Sequence, residues 1–185
     1  MTKFELDRKK YWIKNIRQVN SPNYDDRPSN FDISLVVIHG ISLPPGEYGG
    51  PYIDQLFTNA LDSSKHPYFV QIQSMKVSAH LLINRSGVVT QYVSFDKRAW
   101  HAGESEFQGC RDCNDFSIGI ELEGSDDDSY ETIQYERLSA ITIMIMKSWP
   151  SVTPERISGH NDISIGRKTD PGPFFDWDYF YNLLD

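Results

Sequence analysis

Residues 34–39 read SLVVIH, a short run rich in β-branched residues and apolar on both faces. Side chains alternate along a strand, so Leu35 and Val37 leave one side while Val36 and Ile38 leave the other. A strand with no polar face is covered on both sides, which places it inside a sheet. Layers of helix above and below are what such a strand requires. His39 closes the run, at the strand end where functional residues of layered α/β sheets collect.

The flanking segments supply those layers. Residues 1–33 form a short amphipathic start and an irregular lead-in, broken by Pro22, Pro28 and the Asp/Asn/Ser cluster between them. ISLPPGEYGGP (41–51) is a loop, and Pro51 suits the first position of a short helix, YIDQLFTNAL (52–61). Residues 62–76 are irregular again. SAHLLIN (78–84), the turn Arg85-Ser86-Gly87 and VVTQYV (88–93) predict a β-hairpin. DKRAWHAGES (96–105) is a loop holding Trp100 and His101. FSIGIEL (116–122) alternates cleanly, with Phe116, Ile118, Ile120 and Leu122 on one face and Ser117, Gly119 and Glu121 on the other. An acidic turn (125–129) leads into a long helix over roughly 131–148, whose stripe is Ile133, Leu138, Ile141, Met144, Ile145 and Met146. Its methionines read as core filling. FDWDYFYNLL (175–184) predicts a closing helix. No repeat and no linker interrupts the chain, so the expectation is one α+β domain over residues 1–185, with 1–21 as lead-in and a central mixed sheet flanked by helices.

Composition narrows the class. The chain has 185 residues, 39% apolar and 24% charged, and a net charge of −8 spread along its length. A general nucleic-acid or anionic-membrane binder needs a basic footprint that this balance lacks. The start, MTKFELDRKKYWIKNI, has no apolar h-region, and no stretch approaches the ~18 apolar residues of a membrane span. The most apolar window, Leu138 to Met146, is short and is broken by Ser139 and Thr142. Cys110 and Cys113 form a C-x-x-C without a second pair. Half a zinc knuckle and a redox pair are the functional readings; two reduced thiols in a loop is the reading favoured here. Together these features lead us to expect a cytoplasmic protein.

ISGHNDISIGRKTDPGP (157–173) gathers His160, Lys168 and Asp170 in a run broken by Gly and Pro. An imidazole, a carboxylate and a nearby cation are the residue types of a zinc hydrolase. The same segment read blandly is a solvated surface loop. Pro171-Gly172-Pro173 restricts the backbone just after the aspartate. Glu121 sits on a strand face otherwise made of Ser117 and Gly119, which leave volume beside the carboxylate. It is either a partly desolvated general base or the polar face of an edge strand. Of the five histidines, His80 reads as a structural hydrogen-bonder, His66 as an exposed loop residue and His101 as a possible pocket wall. His39 and His160 are best placed to converge with Asp170, which spacing suggests without proving.

SLVVIHGISLPPGEYGG, HPYF, VSAHLLINRSGVVTQYV, FDKRAWHAG, CNDFSIGIELEG and GHNDISIGRKTDPGP resemble the AmpD-type N-acetylmuramyl-L-alanine amidases, cytoplasmic zinc enzymes that recycle peptidoglycan fragments. The resemblance runs from about Pro22 to Trp177. It implies Zn²⁺ on His39, His160 and Asp170, Glu121 as catalytic carboxylate and Lys168 beside the reacting carbonyl. It also implies a mixed sheet flanked by helices, and an anhydro-muramyl peptide as substrate. The wider group includes phage lysins and peptidoglycan-recognition proteins, which typically carry Cys where Asp170 stands and Tyr-His where this chain has Ala79-His80. A receptor without catalysis and an exported wall-lytic amidase are therefore the alternatives. Gly40, Lys76 and Asp112 depart from the pattern, standing where Asn, Arg and Arg are common. An anionic stem peptide needs local positive charge, for which Lys76 and Arg111 are the candidates, with Trp100 as a flat wall for the sugar.

Overall fold

A computed structural model describes residues 3–29 and 32–184; Met1, Thr2, Asn30, Phe31 and Asp185, which the expected domain includes, lie outside the described residues. Its main sheet has six strands: β1 (Arg17–Gln18), β2 (Leu35–Ile41), β3 (Leu81–Ile83), β4 (Val89–Gln91), β5 (Ser117–Glu123) and β6 (Ile157–Gly159). Their order across the sheet is β6-β2-β5-β3-β4-β1. Every pair is parallel except the hairpin β3–β4, so the sheet is mixed, as SLVVIH and the hairpin signal together require. Three short antiparallel pairs, such as Tyr24–Asp26 with Lys97–Ala99, tie down the loops.

Helices α1 (Tyr52–Phe57), α2 (Phe69–Ile72), α3 (Thr132–Ser148), α4 (His160–Ile163) and α5 (Trp177–Asn182) flank the sheet. On one face Val36, Ile38, Ile118, Ile120 and Leu122 pack against Leu138, Ile141 and Ile145 of α3 and Phe180 of α5. On the other, Leu35 and Val37 meet Ala102, Cys113, Phe116 and Ile163. A third cluster around Leu56, Phe57, Phe69, Ile72 and Tyr92 underlies the loop between β2 and β3.

Several local expectations change. The strand begun by SLVVIH runs on to Ile41, because Gly40 and Ile41 still pair with Leu122 and Glu123. Phe116 lies outside the alternation of β5: its ψ of 9° is not extended, and its ring turns to the face opposite Ile118. All seven residues of β5 are buried between β2 and β3, which removes the edge-strand reading of Glu121. Helix α1 stops at Phe57 rather than 61, where Thr58 Oγ1 turns back on Asp54 O (2.7 Å) and Asn59 adopts a left-handed φ of 58°. The segment expected to be irregular over 62–76 contains α2, which buries Phe69 and Ile72. His66 is half-buried and accepts the Tyr68 N–H. The closing helix is trimmed to Trp177–Asn182, with the Asp176 carboxylate capping Tyr179 N at 2.8 Å. In α3, Met144 is buried as expected, whereas Ile133 and Met146 are only half-buried; Gln134 is buried and its amide donates to Ile83 O and Glu123 O.

The register is what positions the site. Glu121 pairs with His39 across β5 and β2, and Gly159 pairs with Ile38, so His160 follows just past the end of β6. Three chemically active side chains thus gather where neighbouring parallel strands end, the usual place for a ligand in such a sheet.

Candidate active site

His39 and His160 are almost fully buried, at 1% and 3% exposure, and Asp170 is half-buried. His39 Nδ1 lies 3.0 Å from His160 Nδ1 and 3.2 Å from Asp170 Oδ2, and His160 Nδ1 is 3.0 Å from that same oxygen. Hydrogen-bond partners constrain which nitrogens carry protons. His160 Nε2 sits 3.0 Å from the Ala102 carbonyl, which can only accept, so its proton is there and Nδ1 presents a lone pair. His39 Nε2 faces His101 Nδ1 at 3.0 Å, and His101 Nε2 faces Ser117 Oγ at 3.1 Å. In the tautomer in which His101 donates to Ser117 and accepts from His39, His39 also turns a lone pair inward.

Two imidazole lone pairs and a carboxylate oxygen within about 3 Å of one another repel unless a cation lies among them. Donors about 2.0–2.1 Å from a tetrahedral ion lie roughly 3.3 Å apart, close to the separations found. Among the described residues, His39, His160 and Asp170 are the group with metal-binding geometry. The outward imidazole nitrogens are both engaged, as metal-bound histidines ordinarily require. The residues fit a divalent ion of the zinc class.

Burial lowers His39 to about 4, despite the opposing pull of the Asp170 carboxylate. Burial also drives His80 and His101 well below the ordinary histidine range. Asp170 is held below the usual carboxylate range although burial opposes this, because the His160 and His39 rings that face it favour its charged form. Stability follows in sign. An unfolded histidine takes its proton near pH 6.5, while the folded ring refuses it, so acid favours unfolding. Metal-free protein is therefore expected to lose thermal stability as pH falls from about 6.5 towards 4, at up to about 1.4 kcal/mol per pH unit for each such histidine. Asp170 adds to the loss below its unfolded value, near 3.8. Melting curves in chelator across that range check it; a flat profile would contradict the buried neutral rings.

Glu121 is 8% exposed, and its Oε2 finds no hydrogen-bond partner among the described residues. Burial first, and then the Asp170 charge, push its pKa well above the usual value, with Lys168 opposing. The volume expected beside Glu121 is taken by an aromatic ring: a Cβ on Gly119 would overlap His101. Glycine is needed there so that His101 can reach His39.

These groups line one cavity of about 550 Å³. Its lining is apolar at Leu43, Leu56, Phe57 and Ile72 and charged at Asp126, Arg167 and Lys168. Trp100 lines it with an indole N–H that has no hydrogen-bond partner among the described residues. A larger cleft of about 680 Å³ beside Trp12 and Tyr24 contains none of these residues. So the structure brings together His39, Trp100, Glu121, His160, Lys168 and Asp170. It does not bring in Lys76, which is exposed beside the lining residues Met75 and Val77, or Arg111. Arg111 is 83% exposed in its side chain, pairs with Glu106 and lines a separate cleft. Arg167, not Arg111, is the arginine that lines this cavity. Its guanidinium donates to the carbonyls of Ala102 and Glu104 and lines both clefts. Nothing in the spacing of charges along the chain distinguishes these arginines. The partnership of His101 was also missed, although the glycine opposite it on β5 is visible in the sequence.

The pattern of the N-acetylmuramoyl-L-alanine amidase family matches residues 29–173. The chain is 54% identical over 178 residues to the 1,6-anhydro-N-acetylmuramyl-L-alanine amidase AmpD of Haemophilus influenzae, covering 96% of this chain and 97% of that protein. A crystal structure of a selenomethionyl AmpD derivative superposes with a TM-score of 0.94 at 52% identity, covering 98% of this chain and 99% of that one. The amidase AmiD of Escherichia coli, solved with anhydro-N-acetylmuramic acid-L-Ala-D-γ-Glu-L-Lys, superposes at 0.60 with 27% identity over 82% of this chain and 57% of that one.

Proposed function

The chain belongs to the N-acetylmuramoyl-L-alanine amidase family, and on that premise we propose how it cleaves the amide between the lactyl group of 1,6-anhydro-N-acetylmuramic acid and L-alanine of the stem peptide. The observation that carries the mechanism is the convergence of His39, His160 and Asp170 in the cavity that Glu121 and Lys168 also line. Those three residues would hold zinc. When bound, it supplies an electrophile for the carbonyl and lowers the pKa of water to about 7. Glu121, buried and with no hydrogen-bond partner on Oε2 among the described residues, takes the proton of the attacking water. A C–O bond forms at the lactyl carbonyl and the C–N bond breaks. Glu121 returns that proton to the departing alanine nitrogen. Lys168 meets the negative charge that develops on the carbonyl oxygen. Trp100 and the apolar lining take the sugar, and Arg167 with Lys168 supplies positive charge for the anionic peptide.

We read residues 1–185 as one amidase domain acting on soluble fragments in the cytoplasm, as part of peptidoglycan recycling. The cytoplasmic placement is supported by Cys110 and Cys113, two free thiols close in sequence, which an oxidising compartment would threaten. Among the described residues no helix is long and apolar enough to cross a membrane. The test is incubation of zinc-loaded protein with soluble anhydro-muropeptide and, separately, with intact sacculi, followed by mass spectrometry. Cleavage of the soluble fragment alone is expected. Release of peptide from sacculi would favour the wall-lytic reading, and cleavage of neither would favour a receptor.

A further inference from the structure

Tyr130 lies between the acidic turn and α3, and the mechanism does not use it. It is 6% exposed, and its ring packs edge-on against Phe175 at 5.7 Å and Tyr135 at 6.4 Å. Its hydroxyl donates to the Pro171 carbonyl at 2.8 Å. The preceding carbonyl, that of Asp170, accepts the N–H of Asn161 at 2.8 Å. Two consecutive carbonyls around the ligand aspartate are thus pinned, one from the residue after His160 and one from Tyr130.

Room for that hydroxyl comes from two glycines. A Cβ on Gly40, the residue after His39, would overlap the Tyr130 oxygen, and one on Gly124 would overlap its ring. The same Cβ on Gly40 would lie 3.6 Å from the ring carbon Cζ, an ordinary contact. The conflict at Gly40 is therefore with the hydroxyl and not with the ring.

We propose that Tyr130 is a positioning residue for Asp170, and that Gly40 is the space its hydroxyl needs to hold the Asp170–Pro171 segment at the metal-binding triangle. This rests on the proposed metal site. The chain's neighbours of two ligands, Gly40 after His39 and Pro171 after Asp170, meet at one phenol oxygen. Its loss leaves the ring packed and frees the carbonyl, so the carboxylate is no longer held against the two imidazoles. Outer partners of metal ligands are typically worth 10–100-fold in affinity.

The test is zinc affinity, by competition with a chromophoric chelator, on protein kept folded as judged by circular dichroism. Tyr130→Phe is expected to bind zinc about tenfold more weakly, and Gly40→Ala to weaken it comparably by expelling the hydroxyl. The double variant should be no weaker than the worse single one, because both changes remove the same hydrogen bond. A core-filling role alone would lower the melting temperature without moving the affinity of the folded protein. Unchanged affinity in Tyr130→Phe, or additive losses in the double variant, overturns the proposal while the metal site stands. If the parent protein bound no zinc, the metal site itself would fall, and the proposal with it. Should Gly40→Ala fold poorly, Tyr130→Phe alone decides.

Discussion

Replacing Glu121 by alanine is expected to lower kcat by about 10²–10⁴-fold while zinc stays bound. The expectation follows from the register of β5 on β2, which sets Glu121 beside His39 without making it one of the three converging residues that could hold a metal. Burial and the Asp170 charge both make its carboxylate a stronger base than an exposed glutamate. Its Oε2, with no partner among the described residues, is left ready to take a proton from water at the site. Glu121→Gln keeps the shape but cannot accept that proton, so it should behave like the alanine variant. Elemental analysis after dialysis reports the zinc, and steady-state hydrolysis of anhydro-muropeptide reports kcat. Turnover at the parent rate would refute the base assignment.

Asp170→Ala is expected to cost the metal itself, weakening zinc binding beyond the roughly 100-fold that loss of an outer partner brings. It removes the carboxylate of the His39–His160–Asp170 group, whose two imidazole Nδ1 atoms stand 3.0 Å apart. It also removes the negative charge that offsets the desolvation of any cation placed there. Hydrolysis should vanish with the zinc, and added zinc at high concentration should recover only part of it. Full zinc occupancy after dialysis in this variant would contradict the ligand set. The pair of substitutions separates chemistry from binding: one leaves zinc and removes turnover, the other removes both.

The order of outcomes along the chain has a physical logic. SLVVIH, the hairpin and the long helix were legible because periodicity is a local property, and a doubly apolar strand has few places to go. The glycine-broken run with His160, Lys168 and Asp170 was legible through residue chemistry, and the resemblance to AmpD-type amidases turned a candidate set into a specific expectation. Helix ends were less legible. Phe116 left its expected face because a 3-10 turn precedes it, and α1 ended early at a left-handed Asn59.

Local pattern and residue chemistry by themselves determined a layered mixed sheet, a glutamate on a small-residue strand face and a plausible His/His/Asp set. Tertiary structure alone decided that His101 fills the space Gly119 opens, that Arg167 rather than Arg111 lines the cavity, and that Tyr130 reaches Pro171 through the gap at Gly40. Those three depend on contacts between residues far apart in the chain, and such contacts are set by strand register and loop packing, which leave no periodic trace in a single sequence.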